Sequence, residues 1–204
     1  MTSEPIILGF DTSARHCTAA LLRGRELLAH KHEEMTKGQA ERLMDLLAET
    51  LDEAGVDFSS LSALGVGVGP GNFTGIRIAV SAARGLALGL GCTAVGVSGF
   101  EALKLGTEGP CTCAIAAHRD HVFLQQFDAS NKAAPPELAS THGLQDYGAL
   151  MIGEGGRAPF FPTAHAIALI ALERYATETE KPAPLYLRPA DAAPARDAAP
   201  TILS

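Results

Sequence analysis

Residues 65–80 read GVGVGPGNFTGIRIAV, and no other stretch constrains the fold so tightly. An apolar strand, LSALGVGVG at 61–69, runs into a glycine-rich loop, and the loop opens a helix, IRIAVSAARGLALGLG. A strand that feeds a helix through a glycine turn belongs to α/β architecture. The helix is apolar nearly all round, and only Arg77, Ser81 and Arg84 form a polar stripe. A helix of that kind is buried on several sides or meets another chain. Ala79, Ala82, Ala83, Gly85, Ala87 and Gly89 would let a second helix approach closely.

The loop is not a Walker loop, because Ile76-Arg77 stands where Lys-Ser/Thr should follow the glycines. Gly89-x-Gly91-x-x-Ala94 matches a loose dinucleotide pattern, but it ends a helix and precedes a strand, which is the wrong order. Two readings stay open. Backbone amides at Gly69, Gly71, Thr74 and Gly75 face an anion at the helix start, or the glycines only allow strand and helix to meet closely.

The flanking elements follow from pattern. IILGF at 6–10, CTAALL at 17–22 and LLAHKHEE at 27–34 read as three strands joined by tight turns. A helix over 36–54 is predicted, with Thr36 and Gln39 in capping-box form and Ala40, Leu43, Met44, Leu47 and Leu51 on one stripe. TAVGVS at 93–98 is a further buried strand, and Ser98 with Glu101 offers a second capping box. These make a β-β-β-α-β-α-β lobe over residues 1–103. A smaller lobe is expected over 104–188, with strands at 111–117, 121–128 and 150–156 and a loop at 134–138. A helix capped by Thr163 should run to about Thr177, its stripe being Ala164, Ile167, Ala168, Ala171, Leu172 and Tyr175. Residues 189–204 are Pro/Ala-rich and read as a mobile tail.

Composition limits the chemistry. With 16 Lys plus Arg against 23 Asp plus Glu, the formal charge is −7, so nucleic acid is not expected to be gripped by this chain alone. No leader or membrane span is expected, and the four cysteines, Cys17, Cys92, Cys111 and Cys113, lack metal-knuckle spacing. His30 and His32 share one strand face, and His118 and His121 flank a turn, so no metal site is expected. Asp11-Thr12-Ser13 at the end of the first strand can hold a hydrated metal or phosphate, or simply close a hairpin as an Asx turn. No nucleophile–base pair or G-x-S-x-G elbow is visible, and no catalytic residue is assigned.

ILGFDTSARHCTAALL, VGVGPGNFTGIRIAVSAARGLALGLG with VGVS after it, and the terminal PLYLRP together resemble the bacterial TsaB (YeaZ) family. The resemblance implies an actin/hexokinase-like (ribonuclease H-like) α/β fold of two lobes, each a mixed sheet packed with helices. It also implies a cytoplasmic, non-catalytic subunit for making N6-threonylcarbamoyladenosine beside the tRNA anticodon. The partners implied are the TsaD paralogue, the TsaE ATPase through the complex, a second copy of the chain when alone, and tRNA only through the complex. Three positions differ from that family's usual residues: Gln39, Ala116 and Phe123.

On this reading the TsaD contact would use Leu43, Leu47, Arg77, Ala79, Val80, Ala83 and Leu86. Asp11, Thr12, Ser13, Gly69, Gly71, Thr74 and Gly75 would be a vestigial or interfacial phosphate site, with ATP or ADP at or near the partner interface left open as a cofactor. The alternatives are an independent ATP-binding phosphotransferase or ATPase of the same superfold, and a peptidase.

Overall fold

The computed structural model describes residues 4–148 and 150–187, so the tail at 189–204 lies outside the described residues. β1 (Ile6–Asp11), β2 (His16–Arg23) and β3 (Glu26–Glu34) form an antiparallel meander. Next come α1 (Gln39–Glu53), β4 (Ala63–Gly67), α2 (Phe73–Leu90) and β5 (Thr93–Val97). β4 pairs in parallel with β1, and β5 with β4, so the sheet order is β3-β2-β1-β4-β5. Parallel neighbours need crossovers, and α1 and α2 supply them. This is the ribonuclease H-like order that the resemblance implies.

Strand alternation divides the first lobe into two cores. Leu8 and Phe10 of β1, with Leu64 and Val66 of β4, pack against Leu43, Leu46, Leu47 and Leu51 of α1 and Ile76, Ala79, Val80 and Ala83 of α2. Ile7, Leu22, Ala63, Val95 and Val97 face the opposite way. Burying one such side chain contributes roughly 1.5–3 kcal/mol.

That opposite face is covered by a late element. After α3 (Gly99–Lys104) the chain builds a second sheet from β6 (Cys111–Ala116), β7 (His121–Phe127), β8 (Glu137–Ser140) and β9 (Met151–Gly153). Its order is β8-β7-β6-β9, again an antiparallel meander with a parallel strand beside its first member. The chain is therefore an α/β protein of two lobes. α4 (Thr163–Arg174) then returns to the first sheet, where Ile167, Ala168 and Ala171 join the second core. Gly9 and Gly65 sit side by side on β1 and β4, and a Cβ on either would strike α4 backbone. The two glycines thus seat an alanine-rich helix directly on the sheet. The helix falls in the segment expected for the smaller lobe, yet its packing is with the larger one.

Several local expectations are corrected. α1 starts at Gln39 after Gly38, which adopts φ 89° and caps without a side chain. The Thr36–Gln39 box cannot close, because Gln39 is the first helical residue rather than the third; its amide donates to the Met35 carbonyl at 3.3 Å. Met44 is exposed, and Leu46 and Thr50 are buried on the inward stripe instead. α4 is capped at Pro162, ends at Arg174, and buries every residue from Ala166 to Ala171, because it lies between the sheet and α3. Residues 137–140, partly read as loop, pair with β7 as β8, a strand too short to show alternation. The Ser98–Glu101 capping box is present as expected.

Candidate functional site

Of the seven residues of the expected phosphate site, Asp11, Thr12, Ser13, Gly71 and Gly75 come together, and they do so on one another. β1 ends at Asp11, which is 2 % exposed, and the chain turns back into β2 at His16. Asp11 Oδ2 accepts from Ser13 Oγ at 2.9 Å and from His16 Nε2 at 2.7 Å. Asp11 Oδ1 is buried with no hydrogen-bond partner among the described residues, and it lies where a Cβ on Gly67 would stand. Thr12 is fully buried, and its hydroxyl donates to the Gly75 carbonyl at 2.7 Å.

The glycine loop, which includes a cis Gly69–Pro70 bond, closes over this turn. Asn72 N–H donates to the Ser13 carbonyl at 2.6 Å, and the Asn72 side chain caps α2 by accepting from Gly75 N–H at 2.9 Å. Gly99 N–H donates to the Gly69 carbonyl at 2.8 Å. A Cβ on Gly71 would collide with the Ser13 carbonyl oxygen, and one on Gly75 with the Thr12 carbonyl oxygen. Thr74, on the first turn of α2, is exposed, as is Asn72 before it.

An anion site at a helix start uses free N–H groups; here the Asn72 and Gly75 amides are already paired, and the Ser13 and Thr12 carbonyl oxygens lie against Gly71 and Gly75. The cluster does not form a nucleophile. The Ser13 hydroxyl donates to Asp11 and has no bond to His16, so no base is aligned to take its proton. Burial, and secondarily Glu33, pushes the Cys17 thiol up to about 11. Burial also raises Cys113 strongly, aided by Cys111 beside it. Neither is a thiolate at neutral pH.

The residues expected to touch a partner are divided by burial. Leu43, Leu47, Ala79, Val80 and Ala83 are at most 3 % exposed, inside this chain's own core, and are corrected as contact residues. They face inward because α1 and α2 need their most apolar stripe to cover the sheet. Leu86 is half-buried, and Arg77 is exposed. The outward face of α2 is instead Arg77, Ser81, Arg84, Gly85, Leu88 and Gly89, with Leu88 87 % exposed and open space above both glycines. By length and composition α2 could also cross a membrane, although one of its faces is packed on the sheet.

A second feature escaped sequence reasoning. The Arg77 guanidinium lies 3.8 Å above the Phe73 ring and donates from Nε to the Tyr186 hydroxyl at 2.9 Å. The Phe73 and Tyr186 rings are 4.8 Å apart. Tyr186 belongs to a C-terminal strap in which Leu185 N–H donates to the Val68 carbonyl at 2.8 Å and Leu187 packs on the second lobe. The only sequence signal was the PLYLRP stretch, and nothing in it pointed to residue 77. His16, between the first two apolar runs, carried no signal in the sequence either, and it is the partner of Asp11.

Comparison with known proteins adds names to this arrangement. A family model described as TsaD, tRNA N6-adenosine threonylcarbamoyltransferase, matches residues 28–145. The tRNA threonylcarbamoyladenosine biosynthesis protein TsaB of Escherichia coli is 34% identical over 100 residues, covering 49% of this chain and 43% of that protein. The TsaB of Haemophilus influenzae is 31% identical over 126 residues, covering 59% and 52%. The chain thus spans about half the length of these two relatives. An uncharacterized protein of Mycobacterium tuberculosis is 28% identical over 198 residues, covering 92% of this chain and 94% of its own. Among solved structures, an uncharacterized Pseudomonas aeruginosa protein with similarity to peptidase YEAZ superposes with TM-score 0.73 at 23% identity, over 90% of this chain and 100% of that one.

Proposed function

As the chain belongs to the TsaB (YeaZ) family, we propose that it is a cytoplasmic, non-catalytic subunit in the formation of N6-threonylcarbamoyladenosine in tRNA. Its task is to bind and support a TsaD transferase. TsaE and tRNA meet it only through that complex. The relatives' names supply the pathway, and the shared fold agrees with it.

The observation that carries the partner role is the outward face of α2. Leu88 stands 87 % exposed beside Gly85 and Gly89, which leave a flat surface for another helix. Arg77 and Arg84 flank this patch, and α2 holds no acidic residue. Exposed apolar surface rimmed by charge marks a contact site. α1 lies alongside, with Glu41, Met44 and Asp45 exposed. A two-fold copy would therefore set the basic helix of each chain against the acidic helix of the other, which supports a homodimer when TsaD is absent.

The test is co-purification with TsaD followed by gel filtration. The double substitution Leu88→Glu, Arg84→Glu should leave the chain folded and remove it from the complex. Depletion of the chain from its host should remove threonylcarbamoyladenosine from total tRNA, read by nucleoside mass spectrometry. An intact complex with the double variant would move the interface elsewhere. Unchanged modification would end the pathway reading. Against the rival reading, an ATP-dependent phosphotransferase, the Asn72 and Gly75 amides of the glycine loop are already paired.

A further inference from the structure

Arg77 is exposed, yet it is held on two sides. Its guanidinium lies 3.8 Å above the Phe73 ring, and its Nε donates to the Tyr186 hydroxyl at 2.9 Å. Phe73 is one turn back on α2, and Tyr186 comes from the C-terminal strap, so two segments fix the plane of one side chain. The Nη1 and Nη2 edge makes no hydrogen bond or ion pair among the described residues. A planar guanidinium held this way presents two parallel N–H donors, the geometry that takes a carboxylate. Holding it in place beforehand also spares rotamer entropy that a loose arginine would lose on pairing.

What faces this edge follows from the topology. α1 and α2 lie on the same face of the first sheet, and each returns the chain from the end of one strand to the start of another that runs the same way. The two helices therefore run in the same direction. A two-fold axis along them, the one that sets α2 of each chain against α1 of the other, keeps that direction. The N-terminal half of α2 then meets the N-terminal half of the copy's α1. Arg77 is the fifth residue of α2, and the fifth of α1 is Leu43, which lies between the exposed Glu41 and Asp45. Neither carboxylate has an ion pair among the described residues, unlike Glu33 and Glu49, which share Arg42. We infer that Arg77 is a carboxylate receptor for a second copy of this chain, taking the Glu41–Asp45 edge of the copy's α1, with Tyr186 as its positioning residue. This rests on the two-fold pairing of α1 with α2 proposed above. The same donors would suit an RNA phosphate, but the helix beside them is acidic and the chain carries a formal charge of −7. The strap thereby tunes self-association through Arg77.

The experiment is sedimentation equilibrium of the full chain alone over a concentration series, with urea midpoints to establish that each variant is folded. Arg77→Glu should weaken dimerisation about a hundredfold, and adding Glu41→Lys and Asp45→Lys should recover most of the loss. Arg77→Lys keeps the charge but loses the paired donors. It should weaken dimerisation about tenfold, because each contact occurs twice across a two-fold. Tyr186→Phe keeps the ring and should weaken it about threefold. In the Arg77→Lys background Tyr186→Phe should add nothing further, since lysine presents no guanidinium for Tyr186 to orient. A strap that serves only stability would cost the same in both backgrounds, and that result would overturn the positioning role. Arg77→Lys equal to the wild type would leave a generic charge and overturn the receptor. A wild-type chain that stays monomeric would overturn it as well. So would loss of salt-dependent tRNA binding by Arg77→Lys with the dimer intact, which would assign the donors to phosphate. None of these readouts involves TsaD. Failure of the TsaD role in co-purification therefore leaves this inference standing, and its own failure leaves that role untouched.

Discussion

The two lobes begin alike and end differently. Each opens with an antiparallel meander whose first strand gains a parallel neighbour, β4 in one and β9 in the other. In the first lobe that neighbour is five residues long, leads into α2, and is followed by a fifth strand. In the second it is three residues long, and the chain leaves for the first sheet through α4. The corresponding hairpin turns differ in the same way. The turn after β1 is locked beneath a glycine loop, while the turn after β6, at His118–Asp120, is exposed. The same topology thus yields a rigid joint where a helix N-terminus packs on the turn, and a solvated turn where none does.

Substitutions can break this contrast at several strengths. The largest effect should come from Ala83→Asp, which puts a charge inside the core between α2 and the sheet. It should cost at least ~4 kcal/mol and prevent folding in urea titrations, whereas Leu88→Asp on the outward face of the same helix should leave the midpoint nearly unchanged.

Next, Gly75→Ala drives a methyl group into the Thr12 carbonyl and should cost ~3 kcal/mol or more. In the second lobe, Gly155→Ala, in the turn after β9 at φ 71°, should cost only ~1–2 kcal/mol. Equal losses at Gly75 and Gly155 would remove the distinction between the locked and the open lobe.

Acid sharpens the seam between the first sheet and α4. Burial, then His32 and His165, holds the His30 ring below its ordinary value, and burial does the same for His165. The folded state therefore resists protons that the unfolded chain accepts. Stability from these rings is complete above pH ~6.5 and falls as the pH drops through their lowered values. Urea midpoints should decline between pH 7.5 and 5, and His30→Gln should flatten the decline. At lower pH a second loss should appear at Glu101. Burial opposes its ionisation, but Arg174 and Ser98 outweigh burial and hold the carboxyl below its ordinary range. Its contribution is present above that range and is lost as the pH falls below it.

The smallest effect belongs to the strap. Tyr186→Phe removes the acceptor of Arg77 Nε and keeps the ring on Phe73, so stability should change by about 0.5 kcal/mol. The readout is a urea midpoint shift against wild type. A loss above about 2 kcal/mol would make the strap a main support of both lobes.

Strand existence in the first lobe was legible because its runs are strongly apolar and bounded by turn residues. β8 was not, since four residues without alternation carry no period. The capping box at Ser98 was legible because both partners are local. The false box at Thr36 shows the reverse: a matching pair three apart means nothing until the backbone fixes where the helix starts, and Gly38 fixed it later. The expected contact residues Leu43, Leu47, Ala79, Val80 and Ala83 failed for a related reason. An all-apolar helix does not declare which side meets its own sheet.

What the sequence determined by itself is local: strand runs, the helical stretches, one true cap, and the family signature in the glycine segment. Tertiary structure decided what those glycines are for. Gly9 and Gly65 admit α4, which arrives far later in the chain, while Gly71 and Gly75 admit the carbonyls of the Asp11 turn. A missing side chain is visible in any sequence. The atom that takes its space comes from elsewhere in the fold, and only the packed structure can supply it.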